Sequence, residues 1–236
     1  MFGFCGNMKY DLIKRNQETG APEQMREKYA RQLAVQPGET VFICGSTRTG
    51  EEELLLPVYT RLREKIAAGL LWIIGPRHLE RLPVVTALLD RAGLGYELFS
   101  QCTEGSGKGR QEDIILLDSM GKLAELYAVG DYVFCGGSLV NKGGHNIMEP
   151  IGWRKPVFFG PFMQDFQDAV DLVLAAGAGV QVDSPGDLAD YLLSHPLDSP
   201  VYEQLGQAAD RLARTQQGAV ERQAKMVMQV LGGADG

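Results

Sequence analysis

The sequence predicts an α/β domain built on a Rossmann-like, doubly wound parallel sheet, and three regularities carry that prediction. Short, almost unbroken apolar runs recur along the chain, as strands covered on both faces require. Amphipathic stretches fall between them, so strand and helix alternate in the order that makes parallel crossover units. Glycines, 29 in all, gather where many of the apolar runs end, at the turns that lead into the next helix.

The elements follow in order. Residues 22–34 read as a helix with Pro22 in its first turn, closed by the turn residues Gln36, Pro37, Gly38 and Glu39. Expected strands occupy residues 40–44, 70–74, 96–99, 114–117, 132–135, 157–159 and 179–182. Expected helices lie between and after them at 51–68, 79–92, 123–128, 146–153, 164–176 and 187–193. Toward the end, Val201, Leu205, Ala208 and Leu212, then Val220, Ala224, Val227 and Leu231, mark one long amphipathic helix or a broken pair. The segment GSGKG at 105–109 reads as a flexible loop.

Composition narrows the function. With 236 residues, 44% apolar and 22% charged, the chain has the usage of an ordinary globular protein and enough length for a substantial core. A net charge of -7 argues against a nucleic-acid backbone as partner. Cys5, Cys44, Cys102 and Cys135 show no CxxC spacing; Cys44 and Cys135 sit in apolar runs and are expected to be buried in a reduced protein. No stretch approaches the roughly 20 apolar residues of a membrane span, and the start lacks a signal-peptide pattern, so the chain as given is expected to be soluble.

Several catalytic patterns are absent. The segment after Gly105 is neither GxGxxG nor a P-loop, and no GxSxG or HExxH occurs. His78, His145 and His195 lack metal-ligand spacing, so neither a metal nor a cofactor is expected. Glu51, Glu52 and Glu53 read as a solvated helix start.

Ligands of open α/β sheets bind beyond the carboxyl ends of the strands, which selects the loops to examine. The first is GSTRTG at 45–50, where Ser46 and Thr47 offer hydroxyls and Thr49 or Gly50 suits a helix cap. The second holds Arg77 and His78. In the third, Met120 and Gly121 offer a soft side chain and backbone to a heterocyclic base, while Asp118 or Ser119 can cap the following helix. The strongest signal is GGSLVNKGGHNIMEP at 136–150: one glycine pair ends a buried strand and a second opens a helix. Gly137, Ser138, Gly143, Gly144, His145 and Asn146 line this loop. Its amides and the helix start would suit a phosphate, with Glu149 one turn in and able to accept from a ribose diol.

The run GGSLVNKGGHNIMEPIGWRKPVFFGP at 136–161 resembles the signature of bacterial Kdo (3-deoxy-D-manno-octulosonic acid) transferases. GNMKYD at 6–11, GST and GEE around residues 45–52, PRHLER at 76–81 and DSMGKL at 118–123 are similar to that family in the same order. The resemblance implies the C-terminal half of a GT-B glycosyltransferase, in which two Rossmann-like domains face each other across a cleft. Residues 1–20 would then enter from an absent N-terminal domain, and residues 21–236 would form the CMP-Kdo-binding domain with C-terminal helices. It implies inverting, metal-independent transfer of Kdo from CMP-Kdo to a lipid A precursor, in lipopolysaccharide assembly at the cytoplasmic face of the inner membrane. The acceptor site, membrane association and general base would belong to the absent half, leaving no catalytic residue here. Carried over by motif, Gly143, Gly144, His145 and Asn146 hold the phosphate, Glu149 the ribose, and Arg77 with Met120 the cytosine end, while Ser46 and Thr47 line the donor side. Arg48 and Thr49 depart from the family pattern. Competing readings are another GT-B nucleotide-sugar transferase or epimerase, and a non-catalytic nucleotide-binding module.

Overall fold

A computed structural model describes residues 22–102 and 110–232, with side chains through residue 216. The motif at 6–11, the segment 1–20 and the loop at 105–109 lie outside the described residues. Helix α1 (Pro22–Gln32) leads into β1 (Thr40–Thr47), α2 (Glu51–Lys65), β2 (Leu70–Pro76), α3 (Leu82–Arg91), β3 (Glu97–Leu98) and β4 (Ile114–Leu116). Then come α4 (Leu123–Leu126), β5 (Tyr132–Cys135), α5 (Met148–Gly152), β6 (Val157–Phe159), α6 (Gln167–Ala175), β7 (Gly179–Gln181), α7 (Pro185–Ser194) and α8 (Pro200–Gly232).

The seven strands form one sheet in the order β3-β4-β2-β1-β5-β6-β7, and each neighbouring pair is parallel. The chain winds outward from β1 through β2 and β4, then restarts on the other side of β1 with β5. That reversal makes the crevice between β1 and β5 the topological switch point. The doubly wound fold expected from the sequence is the one observed.

Burial explains why the strands were legible. Phe42, Cys44, Trp72 and Ile74 point into one core, where Leu55, Tyr59 and Leu62 of α2 and Leu188 and Leu192 of α7 cover them. The alternate residues Val41, Ile43, Leu71 and Ile73 point the other way, against Met25, Tyr29 and Leu33 of α1 and its continuation. A strand with period two and both faces covered has no position left for a polar residue. Full burial stabilises by about 1.5–3 kcal/mol for each large aliphatic side chain, which sets the scale of the core's contribution. Cys44 and Cys135 are buried, as expected, and so is Cys102.

Some boundaries differ from expectation, for local reasons. The helices expected from residues 79 and 164 begin as 3-10 turns, Leu79–Arg81 and Gln164–Phe166. The one expected over 123–128 ends as the turn Tyr127–Val129. The C-terminal segment is a single unbroken helix rather than a pair. Neither Asp118 nor Ser119 caps α4; Asp118 instead accepts from the backbone N–H and hydroxyl of Ser100. Among the described residues no helix is long and apolar enough to cross a membrane.

Candidate functional site at the switch point

The end of β1 carries a bulge. Gly45 pairs with Gly75 and Thr47 with Pro76, which leaves Ser46 as the extra residue. Ser46 takes φ 57°, a left-handed conformation that a serine adopts only when its surroundings impose it. The Tyr127 hydroxyl, deep in the core, packs against Gly45 just before it, in the space a side chain there would need. The loop after β5 closes on this bulge: a side chain at Gly136 would place its Cβ 2.7 Å from both Ser46 O and Thr47 Cα. Only glycine allows the two strand ends to come that near.

A carboxylate then joins them. Glu51, the first residue of α2, is 0% exposed and accepts four backbone N–H groups: Arg48 (3.0 Å), Gly137 (2.6 Å), Ser138 (3.0 Å) and Leu139 (2.9 Å). Burial pushes its pKa up, and the four amides oppose the rise. Glu52, 1% exposed, accepts the Thr47 hydroxyl at 2.7 Å and a two-pronged contact from Arg81 at 2.7 and 2.6 Å. The acidic run is therefore no solvated helix start; of the three residues only Glu53 is exposed. Gly50 is the N-cap and, having no side chain, offers no cap of its own, while the Glu51 carboxylate reaches back to the Arg48 amide.

These bonds assign positioning roles to two expected contact residues. The Thr47 hydroxyl is committed to Glu52, and its carbonyl accepts from the Arg77 amide at 3.0 Å. The Ser138 hydroxyl donates to Cys135 O at 2.6 Å and accepts from Gly160 N at 2.8 Å. Both side chains are buried and hold the loops rather than present themselves to a ligand.

The glycine-rich loop differs most from expectation. Gly137, Gly143 and Gly144 all have φ between 72° and 81°, which any other residue resists. Yet Gly143 and Gly144 are buried, and the Gly144 amide donates to Gly137 O at 2.9 Å. The helix that follows spans five residues rather than the expected 146–153, and the Asn146 side chain already takes the Met148 amide at 3.1 Å. A capped helix of barely more than one turn carries little of the dipole expected to face a phosphate. The Gly144 amide and the Met148 amide at the start of α5 are thus each engaged within the loop itself.

Positive charge comes from elsewhere. Arg48, Arg77, His78 and His145 converge above the strand ends. Nη1 of Arg48 lies 2.8 Å from Nε2 of His78. Burial, with Arg77 and Arg48 nearby, pushes the His145 pKa down to about 4, so its ring is neutral at pH 7, and it stacks on Phe166 at 6.0 Å. Glu149, half-buried, has its pKa raised by burial and lowered by its contact with Asn146 and by Arg77. Asn146, Glu149, His145 and Arg77 are therefore brought together. Met120 stands apart, 67% exposed, with Gly121 at φ 76° beside it. Leu123, just beyond, packs over Gly45 and Gly75, so this turn overhangs the ends of β1 and β2. Among the described residues no cluster of His, Cys, Asp or Glu is arranged to hold a metal. Arg48, which departs from the family pattern in the sequence, adds a further cation beside His78 at this end of the sheet.

A parallel sheet with its polar residues massed at this switch point defines the fold class: the C-terminal domain of GT-B glycosyltransferases. More particularly, its sequence relatives include Kdo transferases. The 3-deoxy-D-manno-octulosonic acid transferase of Chlamydophila psittaci is 32% identical over 82% of this chain and 44% of the relative. A bifunctional glycosyltransferase/methyltransferase of Fusobacterium nucleatum is 37% identical over 76% of this chain and 26% of its own length. The C-terminal CMP-Kdo binding domain of WaaA from Acinetobacter baumannii superposes with a TM-score of 0.68 at 26% identity, covering 87% of this chain and 98% of that one. The chain thus spans less than half the length of these two sequence relatives. No family model matches it.

Proposed function

We propose that this chain is the donor-binding domain of an inverting, metal-independent Kdo transferase, holding CMP-Kdo for transfer to a lipid A precursor. The observation that carries the reading is the gathering of neutral His145, Asn146 and Glu149 after β5, with Arg77 after β2 close enough to act on them, in a chain similar to Kdo transferases. Glu149 would accept the ribose hydroxyls. Met120 and Gly121 would border the cytosine. His145 and Asn146 would face the phosphate, with Gly137 allowing the backbone to approach.

Cleavage of the donor places negative charge on the departing CMP phosphate and positive charge on the sugar. A fixed guanidinium near the phosphate stabilises the first of these without reorganising at the moment of reaction. Arg77, near enough to His145 and Glu149 to act on both, would supply that guanidinium. The acceptor site and general base are assigned to a partner domain, as is any association with the inner membrane.

Titration calorimetry with CMP and UMP tests the reading. CMP is expected to bind more tightly, and Glu149→Ala to weaken it tenfold or more. Equal binding of the two nucleotides would favour a UDP-sugar enzyme, and unchanged affinity in the variant removes Glu149 from the site.

A further inference from the structure

The His145 imidazole is half-buried, yet it makes no hydrogen bond to any described residue. Its ring meets one flat partner, the face of Phe166, with centroids 6.0 Å apart and planes 22° from parallel. A histidine whose direction matters ordinarily spends one ring nitrogen on a carbonyl or carboxylate, which sets tautomer and orientation. Here both nitrogens are unspent, and the stack on Phe166 takes the place of that bond.

Phe166 is itself held firmly. It ends the segment 160–166, which follows β6 and grips the glycine-rich loop along its length. The Gly160 amide donates to the Ser138 hydroxyl at 2.8 Å, and the Phe162 amide to Ser138 O at 3.0 Å. The Asp165 amide donates to Gly143 O at 3.1 Å, and Gln164 Nε2 to Asn141 Oδ1 at 2.7 Å. Met163 fills the space beside Gly144, and the Asp165 carboxylate that beside Gly143, so a side chain at either glycine would collide with this segment. The Phe166 amide closes the turn on Met163 O at 2.9 Å. The segment thus fixes the backbone of the loop, and Phe166 fixes the one ring that the backbone leaves free to turn.

Orientation counts here because the ring is neutral. Burial, with Arg77 after β2 and Arg48 after β1, disfavours its protonation, while the Asp165 carboxylate on the turn is exposed. A neutral imidazole acts on an anion through a single N–H, whose worth depends on its angle. We propose that Phe166 is a positioning residue for the phosphate end of the donor: by stacking on His145 it aims an imidazole N–H at the departing phosphate. This rests on the donor reading above.

The test compares the full chain with Phe166→Leu and Phe166→Tyr, in the wild-type and His145→Ala backgrounds, after circular dichroism shows each to be folded. Phe166→Met, equally ringless, replaces the leucine variant if that one does not fold. CMP affinity is read by calorimetry and the His145 pKa by NMR. Phe166→Tyr keeps the ring face and should match wild type. Phe166→Leu should weaken CMP by about three- to tenfold, the range an aromatic pair contributes. It should also let the His145 pKa rise from about 4 toward the ordinary value of about 6.5, as water reaches the ring. In the His145→Ala background the same substitution should change CMP affinity by no more than about twofold, because the group it acts through is gone. Equal loss in both backgrounds, or an unchanged His145 pKa, makes Phe166 a packing residue only and overturns the proposal while the donor reading stands. A wild-type chain that does not bind CMP overturns the donor reading, and this proposal with it.

Discussion

Replacing Glu51 by glutamine is the most informative single perturbation of this fold. The carboxylate accepts N–H groups from Arg48, Gly137, Ser138 and Leu139, spanning up to 88 residues of sequence. Glutamine keeps one acceptor oxygen and turns an NH2 group toward the remaining amides, so about two N–H groups lose their partner. Each buried, unsatisfied group costs about 1–3 kcal/mol, giving a loss of about 2–6 kcal/mol before relief of the buried charge reduces it. A net loss of about 2–4 kcal/mol is expected, which for a domain of this size lowers Tm by about 5–15 °C. Urea denaturation should show a lower midpoint at unchanged slope, since the extent of unfolding is the same. CMP affinity should fall as well, because the loops after β1 and β5 lose the group that joins them. Glu53→Gln, at the exposed neighbour, is the control and should be neutral. A Glu51→Gln protein within about 0.5 kcal/mol of wild type, the range of an ordinary surface change, would refute the reasoning.

Three further outcomes follow from the same region. Arg81→Met strands the buried Glu52 and should cost about 3–5 kcal/mol in denaturant titrations, while adding Glu52→Gln in the same chain should recover much of it. Gly144→Ala combines φ 78° with a Cβ 2.3 Å from Met163 Sδ and should destabilise clearly more than Gly121→Ala, where φ is 76° but nothing lies within 4 Å; thermal melts of the two variants separate strain from clash. The His145 pKa is about 4 when folded against about 6.5 when unfolded, so the unfolded chain binds the extra proton between those values. Stability should therefore be flat above pH 6.5 and fall as pH drops toward 4, by at most about 1.4 kcal/mol per unit and less for a partly exposed ring; His145→Gln should flatten that slope.

The sheet was legible because each strand is decided locally. A run such as LLWII at 70–74 has no polar position, and a segment with no polar position is buried on both faces wherever it lies. The loops were legible as places, since strand ends define them, but not as contacts. An acid at the first position of α2 has the same sequence appearance whether it faces water and the helix dipole or three amides 86 to 88 residues away. Nothing near Glu51 distinguishes the two cases. The short α5 was hidden for a related reason: Asn146 reads as an early helical residue, whereas its side chain ends the loop by taking the Met148 amide. Ser138 and Thr47 were similarly read as ligand contacts from their chemistry, when their hydroxyls are spent on Cys135, Gly160 and Glu52.

That correction changes where the site's electrostatics reside. A helix dipole is a fixed feature of the backbone and would have made anion binding insensitive to any one side chain. Here the Met148 amide at the start of α5 is taken by Asn146 and the Gly144 amide by Gly137, so both are spent on the shape of the loop. The glycines let the loop pass against the Arg48 side chain, and Arg48 after β1 and Arg77 after β2 come from different strand ends. Both lean on the same scaffold: Glu51 holds the Arg48 amide, and the Arg77 amide is held by the carbonyl of Thr47, whose hydroxyl Glu52 fixes. The two adjacent acids of α2 thus set the spacing of the two cations without pairing with either. An acid paired directly with an arginine would neutralise it, whereas an acid buried on backbone amides leaves its charge for the ligand.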